Sequence, residues 1–533
     1  MSLVIFISLL LFVSIPYSLS RVSGPLNPIH KSFLDCLSTQ SPQPDPSFPS
    51  IVYSSAINAS TYTKTLEDHL RNRRYNLTST PKPVIIVTPK TESHVQATVL
   101  CAKKLGLQIR IRSGGHDYEA VSYASSEKNF MILDMFNLRK VEINIPTETA
   151  VVQAGAQLGE LYYRIWEKSK VHAYPSGVCP TIGVGGHISG AGYSNMLRKY
   201  GLSIDNVIDA QIVDVNGKLL DRKAMGEDLF WAIHGGGGSS FGVIISYTIK
   251  LVLVPKVTTV YQVEKGTEPN VMDVIMKWQE VSPKIDNDLF IRLLLSPATV
   301  NKKTTVKVKF MAFFLGDSNR LLELMSKEFP ELGLKKEDCL EVSWLDSVLY
   351  WAGHDLNKTK PEILLNRSIP TNYFKRKSDY VQTPILKQGW TAIFNKLIEL
   401  GGTVGMNFNP YGGKMSEIAS NATPMPHRAG NLYKIQYSMN WMDPKVTEEN
   451  LKNGRVMYEF MTPYVSKNPR GAYSNYRDFD IGVNSGDGFN SGKVYGEKYF
   501  KGNFERLVKV KTAVDPDNFF RNEQSIPTSS KKP

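Results

Sequence analysis

Cysteine is scarce in this chain: the 533 residues hold four, Cys36, Cys101, Cys179 and Cys339. A chain this long is held by its core, so no disulfide scaffold is implied. Cys179 has no cysteine two or four residues away, and no His-Glu-x-x-His occurs, so the common zinc patterns are missing and no metal is expected. Pro180 follows Cys179 directly and lacks the backbone N–H that thiol proteases use at their oxyanion, which argues against a protease. Nucleotide loops of the usual kinds are missing too. Gly183-Val184-Gly185-Gly186-His187-Ile188 lacks the third glycine of the dinucleotide fingerprint, and no Gly-Lys-Ser/Thr accompanies Gly235–Gly238. The net charge of +13 is spread along the chain with no basic tail or stripe. That argues against nucleic acid as a partner and leaves a solvated basic surface, or weak attraction to acidic polysaccharide. No run reaches eighteen apolar residues, so no membrane span is expected, and there is no internal repeat or low-complexity segment.

What is present begins with a leader. Residues 1–20 carry the apolar run Leu3–Val13 followed by small residues, the pattern of a secretory signal peptide, although its start lacks the usual positive charge. Five Asn-x-Ser/Thr sites, at Asn58, Asn76, Asn357, Asn366 and Asn421, agree with export and glycosylation. An oxidising compartment favours disulfide pairing. Cys179 sits in a glycine-rich turn where a cofactor can claim it, so Cys36–Cys101 is the expected disulfide and Cys339 is left unpaired.

The hydrophobic pattern reads as α+β. Helical spacing surrounds Thr63, Leu66, His69 and Leu70. Strands are expected at 83–89, 108–112, 131–135, 149–155 and 206–215, with helices at 92–105, 158–168 and 228–233, and Asn216-Gly217 marks a hairpin. From about residue 255 longer segments alternate: strands near 257–261, 289–295 and 304–314, and helices near 319–327 and 389–400. In a strand at 432–441, Tyr433, Ile435, Tyr437 and Met439 share one face and Lys434, Gln436 and Ser438 the other. This is an antiparallel sheet with helices on one face.

Two glycine-rich turns organise the chain, Arg112-Ser113-Gly114-Gly115-His116 and Gly177-Val178-Cys179-Pro180-Thr181-Ile182-Gly183-Val184-Gly185-Gly186. Each brings a nucleophile, an imidazole or a thiol, to backbone free to close on a phosphate or flat ring. Together with Gly192-Tyr193, Arg198–Leu202, Asp228–Ile233, Asn475-Tyr476-Arg477-Asp478 and Asp515–Phe520, these segments resemble plant berberine-bridge-enzyme-like flavoproteins, the group of reticuline oxidase, cannabinoid synthases, monolignol oxidoreductases and carbohydrate oxidases.

The resemblance implies a vanillyl-alcohol-oxidase-like (PCMH-type) FAD-binding domain over 81–255, with a lead-in at 21–80. A substrate-binding domain at 256–468 and a C-terminal segment at 469–533 returning to the FAD domain complete it. FAD is then attached twice, through His116 and Cys179, and cradled by Arg112, Ser113, Gly114, Gly115, Gly177, Thr181, Ile182, Gly183, Gly185, Gly186, Gly190, Gly192 and Asn475. Two attachments raise the flavin potential. Tyr476 is the implied base, its phenol lowered by a nearby cation for which Lys434 is the choice, with Tyr193 and Tyr118 as pocket tyrosines. Gln436 stands where the alkaloid-cyclising founder resembles a glutamate base, which argues against the bridge reaction. Ile182 matches the position that gates oxygen and leaves oxidase and dehydrogenase open.

The implied activity is that of a secreted or vacuolar oxidoreductase, a monomer that oxidises an alcohol or phenol-type small molecule and passes electrons to molecular oxygen or another acceptor. A carbohydrate oxidase, a flavin-dependent cyclase and a binding or defence protein with a structural flavin are the alternatives.

Overall fold

A computed structural model describes residues 28–40, 45–266, 270–300, 303–485 and 488–529; the leader at 1–20 lies outside the described residues. Three short strands, Ile85–Val87, Phe130–Asp134 and Gln108–Arg112, pair in parallel, and Val52–Tyr53 joins the edge antiparallel. They are buried almost end to end, as parallel strands covered on both faces must be. Helix Glu92–Lys104 connects two of them, its start capped by the Thr91 hydroxyl. The Cys36–Cys101 disulfide ties that helix to Pro28–Gln40, and Cys179 and Cys339 are free.

A second sheet is antiparallel, in the order Val141–Asn144, Thr149–Gln153, Val243–Lys250, Val207–Val213, Leu219–Leu220. Its last hairpin turns at Asn216-Gly217, where Gly217 takes φ +71°. Helix Arg222–Ile233 starts six residues before the expected 228, capped by Asp221 and interrupted at Gly226, whose φ is +75°.

The third sheet has seven antiparallel strands, ordered Cys339–Val342, Thr258–Lys265, Lys303–Phe314, Leu289–Val300, Gly405–Pro410, Tyr433–Trp441, Tyr373–Val381. One face is covered by helices and largely apolar, with Lys375, Lys377 and Asp379 on it in the edge strand Tyr373–Val381. Trp278 of Val271–Val281 and Trp390 of Lys387–Glu399 pack on Phe408, and Tyr458 of Thr447–Phe460 packs on Tyr437. Both tryptophans are fully buried, and truncating either to alanine costs about 3–5 kcal/mol. The opposite face carries Arg292, Arg376, Asn407, Gln436 and Ser438, the register placing Gln436 beside Asn407 and Ser438 beside Arg376. Alternation along Tyr433–Trp441 therefore separates core from cavity as its sequence indicates.

The helix expected about Thr63–Leu70 spans Ala59–Glu67. The Arg112 guanidinium satisfies its free C-terminal carbonyls, bonding Leu66 O at 2.8 Å and Thr65 O at 2.6 Å. His69, beyond the helix end, turns to Asp134. At the other end of the chain, Glu523 accepts two bonds from Arg110, at 2.9 and 2.8 Å, which brings residues 521–524 back onto the first sheet.

Candidate functional site

The two glycine turns meet. A Cβ placed on Gly114 would lie 2.2 Å from the Gly183 nitrogen, and one on Gly183 would lie 2.1 Å from the Gly114 nitrogen. Gly115 takes φ +67° with its Cα tight against the His69 carbonyl. The Ser113 hydroxyl donates to Ala154 O at 2.5 Å, and Thr181 Oγ1 pairs with His116 Nε2 at 2.8 Å. The turns thus interlock, and His116 and Cys179 line one cavity of about 550 Å³.

The two nucleophiles are held in different states. Burial, with Arg71 and His187 nearby, pushes the His116 imidazole down to about 3, so it is neutral and keeps a lone pair at neutral pH. Cys179 is exposed and lines the cavity, where the surrounding protein still desolvates the thiol. That enclosure pushes the thiol up, against the pull of Arg292, Arg71 and Arg376.

The cavity extends past His187 to Gly237, Ser240 and Asn522. Gly186 and Gly237 face open space, because a Cβ on either meets nothing within 4 Å. Gly190 leaves room for Asn475, whose Nδ2 donates to His187 O at 2.9 Å, and Gly177 N–H donates to His187 Nε2 at 3.1 Å. An elongated cavity with bare glycine backbone at one end and two nucleophiles midway fits FAD. Ser113, Gly114, Gly115, Gly177, Ile182, Gly183, Gly185, Gly186, Gly190 and Asn475 all line it.

Three expected cradle residues do not. Arg112 is fully buried on the far side of its strand, paired with Asp134 at 2.8 Å besides its two helix carbonyls. Its charge is consumed in structure, so it is a cap rather than a cofactor contact. Thr181 is bonded to His116 instead. Gly192, at φ +73°, is packed against Ser203.

On the sheet side, Tyr118 and Tyr476 stack with centroids 5.6 Å apart. Gln436 Nε2 donates to the Tyr118 hydroxyl at 3.1 Å, and Gln436 Oε1 accepts from Asn407 at 3.1 Å. Among the described residues Lys434 Nζ has no hydrogen-bond partner, and it lies 3.7, 4.0 and 4.2 Å from the ring centroids of Tyr193, Tyr473 and Tyr476. The expected lowering of the Tyr476 phenol is corrected here. Burial drives it well above the usual tyrosine value, and the cation opposing this is Arg292. Lys434 touches the ring face and is itself driven well down by burial, so it is a poor source of the charge first assigned to it.

Arg71, Arg292 and Arg376 were missed at the sequence level. All line the cavity, and among the described residues none has a carboxylate partner; Arg292 bonds Asn409 Oδ1 at 2.7 Å and Arg376 bonds Met439 O at 2.8 Å. The available signal was charge inside a buried strand: Tyr373–Val381 holds Lys375, Arg376, Lys377 and Asp379 with no residue exposed.

Residues 83–222 match the family described as FAD binding domain, and residues 472–527 match berberine and berberine like. Berberine bridge enzyme-like 21 of Arabidopsis thaliana is 53% identical over 98% of this chain and 97% of its own length. A monolignol oxidoreductase of the same plant is 49% identical over 96% of each chain. Among solved structures, the grass pollen allergen Phl p 4, described as having glucose dehydrogenase activity, superposes with a TM-score of 0.88 at 44% identity, covering 94% of this chain and 100% of its own. Its wild type is described as a glucose dehydrogenase, and a variant with one isoleucine replaced by valine as a glucose oxidase.

Proposed function

The chain belongs to the berberine bridge enzyme-like family of FAD-dependent oxidoreductases, and we propose that it oxidises an alcohol group with a flavin attached at both His116 and Cys179 and with Tyr476 as base. The observation that carries this reading is one cavity lined by a neutral imidazole, a thiol and the Tyr118–Tyr476 stack. Bound FAD supplies the hydride acceptor. Thr181 holds His116 Nε2, leaving Nδ1 for attachment. Tyr476 accepts the substrate hydroxyl proton at its phenolate oxygen, and Arg292 favours that phenolate electrostatically. Gln436 orients the Tyr118 hydroxyl, and Tyr193 closes the wall behind Lys434.

A second reading concerns substrate. Arg71, Arg292, Arg376, Asn407 and Asn409 make the wall rich in hydrogen-bond donors, which suits a sugar, neutral or acidic, better than an apolar phenylpropanoid. The test is anaerobic: flavin absorbance is followed while coniferyl-type alcohols, neutral oligosaccharides and acidic oligosaccharides are added, and oxygen is then admitted. Bleaching by an alcohol substrate supports the reading; a flavin that no member of the panel reduces overturns it.

Export completes the proposal. All five sequon asparagines are exposed, the disulfide suits an oxidising compartment, and among the described residues no helix is long and apolar enough to cross a membrane.

A further inference from the structure

Behind the cavity lies a buried ionic cluster built from three separate parts of the chain. Lys375 pairs with Glu119 and with Asp478 Oδ1, the latter at 2.6 Å; Lys377 pairs with Asp478 Oδ2 at 2.7 Å and Asp480 Oδ2 at 2.8 Å. The side chains of Glu119, Lys375, Lys377 and Asp478 are each at most 3% exposed. Glu119 also accepts the Tyr75 hydroxyl and the Phe479 N–H, and Arg455 closes the rim on Asp480 at 3.0 Å. Asp478 is fixed further by its backbone, its N–H donating to the Tyr499 hydroxyl at 3.1 Å and its carbonyl accepting from Gln524 at 2.8 Å.

The positions of these residues in the chain give the cluster its meaning. Glu119 follows Tyr118 in the turn that begins at His116. Asp478 stands two residues after Tyr476. Lys375 and Lys377 flank Arg376 in one strand, and alternation sends the lysines to the cluster while Arg376 lines the cavity. One ammonium, Lys375, therefore holds the segment bearing Tyr118 to the segment bearing Tyr476, on the strand that bears Arg376. A buried ion pair is a poor source of net stability but a strong source of geometric definition, since leaving any member unpaired in that environment is costly. The carboxylates of Asp478 and Glu119 hold the Lys375 ammonium charged in spite of its burial.

We propose that Lys375, with Glu119 and Asp478, is the positioning device that sets the Tyr118–Tyr476 stack, and so holds the Tyr476 hydroxyl for the proton transfer assigned to it. The inference rests on Tyr476 being the base, and its test separates the two.

The holoenzyme is prepared as parent, Lys375→Met, Tyr476→Phe and the double variant, and anaerobic flavin reduction and the thermal midpoint are measured for each. A positioning residue acts through Tyr476, so Lys375→Met slows reduction tenfold or more with KM changed less than threefold, and the same substitution in the Tyr476→Phe background changes the rate less than twofold. Lys375→Arg, which keeps the charge, restores at least part of the rate. Equal fold-losses in both backgrounds, or an unchanged reduction rate in Lys375→Met, overturn the proposal. A Tyr476→Phe enzyme that reduces its flavin at the parent rate instead sinks the base assignment on which the proposal rests. Should Lys375→Met fail to accumulate, Asp478→Asn, which keeps shape and hydrogen-bonding capacity, is read by the same criteria.

Discussion

Gly114 and Gly183 touch backbone to backbone, so closely that neither has space for a methyl group. This contact joins the turn carrying His116 to the turn carrying Cys179. The obstructing atoms are main chain and cannot rotate away. Gly114→Ala or Gly183→Ala is therefore expected to cost about 1–3 kcal/mol and to lower flavin content at purification, read by the ratio of flavin to protein absorbance. A parent-like ratio and midpoint would show that the turns part without loss.

Attachment at two points has its own signature. His116→Ala and Cys179→Ala should each keep flavin in the acid-precipitated protein through the remaining bond, and only the double variant should release it to the supernatant. Flavin retained by the double variant would remove both residues from the assignment.

Ile182 lines the cavity between the two turns. The side chain at this position is expected to set how fast the reduced flavin reacts with oxygen. Ile182→Val should speed reoxidation in stopped flow at least tenfold while leaving anaerobic reduction within about twofold. Equal reoxidation rates would place the oxygen gate elsewhere.

Two pH effects follow from burial. The Tyr476 phenol is held above its ordinary value of about 10, so flavin reduction should rise with pH through the neutral and alkaline range without a plateau below about pH 10. Tyr476→Phe should flatten the profile and lose about 100-fold or more in rate. In acid, stability is the issue. Burial pushes His187 and His427 each down to about 3, whereas unfolded imidazoles titrate near about 6.5. Below that pH the unfolded chain binds protons that the folded chain refuses, so their contribution is complete above about 6.5 and is lost as pH falls toward 3. His427→Phe, which keeps the stack on Tyr380, should lose less thermal midpoint between pH 7 and 4 than the parent; an equal loss would clear His427 of the effect.

The Cys36–Cys101 bond closes a separation of 65 residues. In the chain-entropy account such a loop contributes about 4 kcal/mol. The Cys36→Ser, Cys101→Ser double variant should unfold at lower denaturant by up to that amount, with flavin reduction unchanged because neither residue lines the cavity. A slower reduction step would show that the bond also shapes the site.

Much of this architecture is legible locally. Helix 158–168, the Asn216-Gly217 hairpin and the two-faced strand at 433–441 are written in short-range pattern, because period and turn chemistry are properties of neighbouring residues. The end of the lead-in helix is not legible locally, since the group that satisfies its last carbonyls is Arg112, some 45 residues further on.

The sequence by itself determined the family, the disulfide, the two glycine turns with their nucleophiles and the two faces of the 433–441 strand. Only tertiary structure decided where the charges go. Arg112 follows its strand into an ion pair with Asp134, while Arg71, Arg292 and Arg376 arrive at one cavity from widely separated positions in the chain. Lys375 joins Glu119 to Asp478 across a similar gap. The physical reason is that backbone pattern is set within a few residues, whereas the state of a charged group depends on burial and on whichever partner folding brings within a few ångströms.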